Sequence, residues 1–240
     1  MGVMTEHKHK VPPHDHTAAV RFDRAFWDER YSSVHALWSG NPNPHLAAEV
    51  GALTPGTALD AGAGEGADAI WLAGRGWRVT AVDISGVALE RAAGHAVAAG
   101  DAVADRIQWL RADILEWEPP ERAYDLVTAH YIHLPADSRR MVYARLAAAV
   151  ADRGTLLIAA HHPSDMATTM PRPQQPELFF TGDDLEKDLG GDSVGSRGTT
   201  PAPPIGGWEI ITSTAAPHEA TDPEGRPVVI HDTVFRARRA

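Results

Sequence analysis

The stretch that most constrains the fold runs from Thr57 to Asp83 and reads TALDAGAGEGADAIWLAGRGWRVTAVD. It begins with a short apolar run, passes through a glycine-rich turn into a helical pattern, and ends in a second apolar run that is closed by an acid. A strand, a glycine turn that opens a helix, and a second strand form the βαβ unit of nucleotide-binding proteins. Because a helix connects the two strands, they lie parallel. The stretch therefore predicts a parallel sheet with a ligand at the glycine turn.

The alternation of strands and helices continues well beyond this unit. Strands are predicted at TALDA, RVTAVD, RIQWLRAD, YDLVTAHYI and TLLIAAHH, with helices between most of them. Near the C-terminus, WEIITSTAAP and PVVIHDTVFRARR are joined by HEATDPEGR and predict an antiparallel hairpin. We therefore expect an α/β fold: a doubly wound, mostly parallel, seven-stranded sheet with an antiparallel C-terminal hairpin.

The sequence divides into three regions by composition and periodicity. Residues 1–20 are polar, carry several histidines and lack apolar periodicity, which predicts a flexible tail. These histidines could in principle bind a divalent metal ion, but a mobile site would first have to be ordered. Residues 21–56 predict an N-terminal helical cap. Residues 57–240 predict the ligand-binding domain, with a lid or loop region at 163–207 that is rich in proline and glycine.

Composition and charge exclude several classes of protein. The chain has 240 residues, 43% of them hydrophobic, no cysteine, and a formal net charge of -10. The missing cysteine excludes disulfides, thiolate metal ligands and cysteine nucleophiles. The negative charge argues against nucleic acid or an anionic membrane as the main partner. No apolar run approaches the roughly 20 residues of a membrane span, and the polar N-terminus is unlike a secretory signal, so we expect a cytoplasmic protein.

The glycine turn fits two kinds of cofactor. Gly62, Gly64 and Ala67 satisfy the G-x-G-x-x-A pattern of dinucleotide-binding proteins. However, Asp60 ends the first strand and Glu65 lies inside the turn, where two carboxylates would repel a pyrophosphate and attract a cation. The turn therefore allows a nicotinamide or flavin dinucleotide, but its acids favour S-adenosylmethionine, which has no phosphate and carries an ammonium and a sulfonium.

Four motifs in order resemble those of the class I S-adenosylmethionine-dependent methyltransferases. LDAGAGEG looks like their glycine-rich motif, VTAVDIS like their second-strand motif, RADI like their adenine motif and YDLVTAHYIHL like their fourth-strand motif. FFTGDDLEKDL is similar to the helix before their sixth strand. FWDERY is similar to the opening helix of the small-molecule branch that includes tellurite-resistance and thiopurine methyltransferases. The resemblance implies the Rossmann-like methyltransferase fold, with S-adenosylmethionine as the cofactor.

The resemblance also implies a cofactor site at the strand ends. The glycines of the turn would let the backbone approach the cofactor, because glycine has no Cβ in the way. Asp60 would hold the methionine ammonium, directly or through water, and Asp83 the two ribose hydroxyls. Trp27 and Tyr31 would either cover the sulfonium with an aromatic face or pack in the core. The residues expected to bind the cofactor are Trp27, Tyr31, Asp60, Gly62, Gly64, Gly66, Asp83, Ile84, Asp113, Ile114 and His130.

Histidines follow the fourth and fifth strands, where a doubly wound sheet binds its ligands. The expected catalytic residues are His130, His133 and His161. One of them would act as a base or orient the acceptor, since histidine titrates near neutral pH, or they would instead pack against the connecting helices. A metal site is not expected, because no carboxylate follows the fifth strand until Asp165.

The predicted function is transfer of a methyl group from S-adenosylmethionine to a small-molecule N, O or S nucleophile by in-line displacement. The alternatives are a nicotinamide-dependent oxidoreductase and a non-catalytic protein that binds S-adenosylmethionine.

Overall fold

A computed structural model describes residues 22–34, 40–189 and 207–240 of the chain. The predicted tail at 1–20 and most of the predicted loop at 190–207 lie outside the described residues, so both stay predictions. The division into a cap and a domain also stays a prediction.

Seven strands form one sheet. They are β1 (Thr57–Ala61), β2 (Arg78–Asp83), β3 (Ile107–Arg111), β4 (Tyr124–His130), β5 (Val150–His161), β6 (Trp208–Thr221) and β7 (Pro227–Arg239). Their order is β3-β2-β1-β4-β5-β7-β6. Neighbours among β1 to β5 run parallel, and β7 is antiparallel to both β5 and β6. The predicted α/β fold with its mostly parallel seven-stranded sheet and antiparallel hairpin is confirmed.

Helices cover both faces of this sheet. They are α1 (Arg24–Ser32), α2 (Pro44–Val50), α3 (Ala67–Gly74), α4 (Gly86–Ala99), α5 (Asp101–Ala104), α6 (Ala136–Ala149) and α7 (Gly182–Asp188). Successive strand residues point to opposite faces. In β4, Leu126 belongs to the core under α2 and α3, whereas Val127 belongs to the core under α6 and α7. None of the described helices has the length and apolarity of a membrane span.

The hairpin extends further than its sequence suggested. Strand β6 continues through His218 to Thr221, so the connection shrinks to the five residues from Asp222 to Arg226. The Asp222 carboxylate accepts the backbone amides of Glu224 and Arg226 at 3.0 and 2.9 Å. Because this carboxylate closes a tight turn, the residues before it stay paired in the sheet.

The helix α1 is held beside the carboxyl edge of the sheet by polar contacts to α4. The Ser85 hydroxyl, which caps α4, donates to the Asp28 carboxylate at 2.6 Å. Arg91 of α4 donates to the carbonyl of Val34 at 2.8 Å. These contacts place the aromatic face of α1 over the ends of the strands.

Candidate cofactor and acceptor site

A cavity of about 580 Å³ lies at the carboxyl ends of the parallel strands. This volume falls within the roughly 300–1,000 Å³ of small-molecule sites. Most of the residues predicted for the cofactor and for catalysis line it: Trp27, Tyr31, Gly62, Gly64, Gly66, Asp83, Ile84, Asp113, Ile114, His130, His133 and His161. The fold thus brings together residues that are more than 130 positions apart in the sequence. Asp60 is the predicted residue that does not line the cavity.

The glycine turn is built from left-handed backbone. The φ angles of Gly62, Gly64 and Gly66 are 76°, 54° and 86°, a region that glycine adopts without steric cost. A Cβ on Gly66 would lie 2.6 Å from the Trp109 ring and 2.8 Å from the Ala92 methyl. This close contact adds a second reason for glycine at this position. Gly66 is required for close packing of α3 on β3 and α4, and not only for the approach of a cofactor.

Asp83 closes β2 and organises the turn. One carboxylate oxygen accepts the amide of Gly64 and the other accepts the amide of Ser85, both at 2.8 Å. Burial raises the pKa of Asp83, and the bonds from these amides oppose that shift. A carboxylate has about four lone-pair sites, so Asp83 keeps the capacity to accept two more hydrogen bonds. It can therefore hold a ligand diol while it shapes the turn.

The residues expected around an adenine ring follow two neighbouring strands. Asp83 pairs in register with Arg111, so Ile84 and the segment after β3 leave the sheet side by side. Asp113 lies two residues past the end of β3, rather than at its end as the sequence suggested. Its carboxylate accepts the amide of Leu115 at 2.9 Å, which turns the chain at that point.

Asp60 lies behind the cavity wall. It is 2% exposed, one oxygen accepts the Thr128 hydroxyl at 3.0 Å, and the other has no hydrogen-bond partner among the described protein atoms. Burial, followed by the charge of Asp68, raises the pKa of Asp60 to about 7. Asp68 lines the cavity instead, although the sequence reasoning missed it. Its position in the first turn of the helix after the glycine turn is the signal that could have found it.

The acids that give the cavity its negative charge are not the ones that the glycine turn alone suggested. Glu65 forms an ion pair with Arg91 at 3.0 Å, so its charge is compensated within the protein. Asp68, Asp83 and Asp113 line the cavity, and no lysine or arginine does so among the described residues. The site therefore favours a cationic ligand and opposes a pyrophosphate.

His133 and His161 lie together in the cavity lining with aromatic neighbours. The His133 ring stacks on Phe22, with centroids 5.7 Å apart, and lies 5.8 Å from His161. Burial, followed by the charge of His161, lowers the pKa of His133 to about 4. The ring is therefore neutral near pH 7 and able to accept a hydrogen bond. Its Nδ1 is buried without a partner among the described protein atoms.

His161 contacts a group that the sequence reasoning did not find. Asp232 of β7 is 2% exposed and lies 3.7 Å from His161, 3.0 Å from His45 and 3.4 Å from His218. Burial by itself would raise the pKa of Asp232, but the polar groups of His161, His45 and Tyr131 around it outweigh burial and lower that pKa. No sequence pattern links these residues, because they come from separate elements. Within the described part of the chain, no three His, Asp or Glu side chains are arranged to hold a metal ion.

The aromatic residues of α1 serve the cavity and the core together. Tyr31 is buried, Trp27 is half-buried, and both line the cavity with their ring centroids 6.1 Å apart. The two predicted roles for these rings are compatible in this arrangement.

The strand order, the glycine turn and the acids at the strand ends define a class: Rossmann-like proteins that bind a nucleoside-containing cofactor at the switch point of the sheet. The sequence comparison points to the same class. Residues 58–154, less than half of the chain, match the family described as a methyltransferase domain. This match agrees with the predicted class I, S-adenosylmethionine-dependent methyltransferase domain and with its cofactor.

Curated relatives and solved structures agree with this assignment. Over 121 residues the chain is 36% identical to uncharacterized methyltransferases of Mycobacterium tuberculosis and Mycobacterium bovis. The match covers 49% of this chain and 58% of each relative, so the chain spans less than two thirds of their length.

Solved structures share the fold at low identity. TehB from Haemophilus influenzae has a TM-score of 0.61 at 16% identity, covering 90% of this chain and 67% of that one. The 1,6-didemethyltoxoflavin-N1-methyltransferase of Burkholderia thailandensis has a TM-score of 0.60 at 20% identity, covering 90% and 87%. A structure described for conversion of a disulfide bond into a thioacetal group during echinomycin biosynthesis has a TM-score of 0.66 at 23% identity, covering 90% and 92%.

Proposed function

We propose that this protein transfers the methyl group of S-adenosylmethionine to a small-molecule N, O or S nucleophile by in-line displacement. The observation that carries the proposal is the charge of the cavity. Asp68, Asp83 and Asp113 line it without a lysine or arginine among the described residues. An ammonium and a sulfonium are stabilised there, whereas the two phosphates of a dinucleotide are repelled. This charge disfavours the alternative of a nicotinamide-dependent oxidoreductase.

The described residues fit such a cofactor. Asp83 would accept the ribose hydroxyls, Ile84 and Ile114 would flank the adenine, and Asp113 would accept from its amino group. Asp60 does not line the cavity, so its unpartnered oxygen would act on the cofactor through a bridging water or through its electrostatic field. The faces of Trp27 and Tyr31 suit a cation. When bound, S-adenosylmethionine supplies an electrophilic methyl group.

The protein's contribution to the reaction would be positioning and a closed site. Holding two reactants in line at close range can supply much of the rate enhancement. The rings around the histidines of the cavity lining would orient the acceptor and exclude water. The neighbour from Burkholderia thailandensis is named as a 1,6-didemethyltoxoflavin-N1-methyltransferase, which supports a small-molecule acceptor here. The acidic net charge supports the absence of a nucleic-acid partner. The cytoplasmic location stays a prediction.

Calorimetric titration with S-adenosylhomocysteine and with NADH separates the enzyme classes. We expect S-adenosylhomocysteine to bind and NADH to give no signal. Asp113→Asn should weaken binding, and Asp105→Asn, which changes the same charge at an exposed residue outside the cavity lining, should not. Binding of NADH without binding of S-adenosylhomocysteine would contradict the proposal. Cofactor binding without methylation of any offered acceptor would favour a non-catalytic binding protein.

A further inference from the structure

The cavity lining contains a histidine–carboxylate pair that the sequence did not reveal. His130 Nδ1 lies 2.7 Å from Asp68 Oδ2, and the two side chains are only 7% and 16% exposed. The other oxygen of Asp68 accepts the backbone amide of Asn43 at 2.6 Å. Both members of the pair line the cavity.

The hydrogen bonds of Asp68 decide which nitrogen of His130 carries the proton. Asp68 lies in the first turn of α3, where backbone amides favour a negative charge, and it accepts from Asn43. An ionised carboxylate can only accept hydrogen bonds, so in a pair with an ionised Asp68 the Nδ1 of His130 is the donor. The neutral ring then holds its lone pair on Nε2.

The lone-pair nitrogen is left without a protein partner. His130 Nε2 is buried and has no hydrogen-bond partner among the described protein atoms. A buried polar atom of this kind costs free energy unless a ligand or water satisfies it. The oriented ring of His130 therefore has an unsatisfied nitrogen, Nε2, that can accept a proton from a ligand.

The aromatic side chains that line the same cavity indicate which kind of ligand would donate the proton. Tyr131 and His161 lie with centroids 4.8 Å apart, and Phe22 stacks on His133 at 5.7 Å. All four side chains line the cavity. Aromatic walls of this kind favour a flat aromatic ligand that stacks face to face or edge to face.

We propose that Asp68 is a positioning residue for His130 as general base, and that the methyl acceptor is an aromatic molecule with an ionisable O–H or N–H. This inference rests on the proposed function. The acceptor's lone pair forms the bond to the methyl carbon while the carbon–sulfur bond breaks and its electron pair stays on sulfur. The acceptor's proton goes to Nε2 of His130, and the resulting imidazolium is stabilised by the Asp68 carboxylate.

The tautomer of His130 tests the positioning role without any turnover. In protein with ¹⁵N-labelled histidine, long-range proton–nitrogen spectra should show His130 protonated on Nδ1, with the signal assigned by its loss in His130→Gln. In Asp68→Asn the amide oxygen can still accept from Asn43, while the amide NH₂ is presented to Nδ1. The proton should then move to Nε2 with little change in melting temperature. Asp105→Asn should leave the tautomer unchanged. An Nε2–H tautomer in the wild type, or no change in Asp68→Asn, overturns the proposal.

Turnover tests the base and the class of acceptor. Release of S-adenosylhomocysteine would be measured with 4-methylphenol, benzimidazole and thiophenol as acceptors. We expect turnover with 4-methylphenol or benzimidazole, and a loss of kcat of about 10²–10⁴-fold in Asp68→Asn with little change in KM. Added imidazole should restore turnover to His130→Ala. Methylation of thiophenol alone, or an unchanged kcat in Asp68→Asn, refutes the proposal.

Failure of this inference and failure of the proposed function would give different experimental results. If S-adenosylhomocysteine binds and thiophenol is methylated but 4-methylphenol and benzimidazole are not, the acceptor class is wrong and the proposed function stands. If S-adenosylhomocysteine does not bind, the proposed function itself is wrong.

Discussion

Asp83 offers the sharpest test of the cofactor site, because its two oxygens already have defined partners. In Asp83→Asn the charge is lost, and one carboxylate oxygen is replaced by an NH₂ that faces the amide of Gly64 or of Ser85. A hydrogen bond to a charged group contributes about 1.5–3 kcal/mol and one to a neutral group about 0.5–1.5 kcal/mol. Two ribose hydroxyls would therefore lose about 1–3 kcal/mol of binding free energy, which raises the Kd roughly 5- to 150-fold.

The assay is calorimetric titration of both proteins with S-adenosylhomocysteine and with its 2′,3′-dideoxy analogue. The loss should be large for the natural ribose and nearly absent for the analogue, because the analogue has no hydroxyls to donate. A buried amide left without an acceptor also costs about 1–3 kcal/mol of folding free energy, so the titration is run well below the melting temperature of the variant. A folded Asp83→Asn protein whose Kd lies within twofold of the wild type would refute the reasoning. Equal losses for both ligands would show that the variant disturbs the turn rather than a ribose contact.

Two further predictions concern stability. Gly66→Ala should lower the free energy of unfolding by about 2–4 kcal/mol in urea titrations, because its Cβ would meet Trp109 and Ala92 and its φ is 86°. The matched change Gly94→Ala, in an exposed part of α4 with no atom within 4 Å, should instead stabilise by about 0.5–1 kcal/mol; losses of equal size would exclude the packing argument. His133 has a folded-state pKa of about 4, below its usual 6.5, so the unfolded chain binds more protons as the pH falls. Stability should be full above about pH 6.5 and fall on the order of 3 kcal/mol by pH 4, and His133→Gln should flatten this slope; an unchanged slope would show that His133 does not cause it.

Much of the fold could be predicted because its signals are local. The alternation of apolar strands with helical segments, and the turn residues between them, follow from the periods of the two backbone conformations. Ser85 caps α4 as its position suggested. Thr181 and Asp184 form a reciprocal capping box, although an aspartate takes the place of the usual longer side chain. The placement of Asp83 at a strand end is equally local, because the strand ends where the apolar run ends.

The roles of the other acids could not be read in the same way. Asp60 and Asp68 lie eight positions apart, and only the packing of α3 on the sheet decides that Asp68 reaches the cavity while Asp60 stays behind its wall. Glu65 has the right charge in the right turn, but Arg91 from the next helix compensates it. A pattern of residue types does not show which side chains neutralise each other.

The sequence by itself determined the βαβ architecture, the class of the domain and the acid that closes β2, because backbone periodicity and strand ends are properties of short segments. The tertiary structure decided which side chains meet. Asp68 pairs with His130 across 62 positions, and Asp232 reaches His45 across 187. Such contacts depend on how helices and strands pack against one another, and on which buried charges find partners, so they arise only when distant segments are brought to the same edge of the sheet.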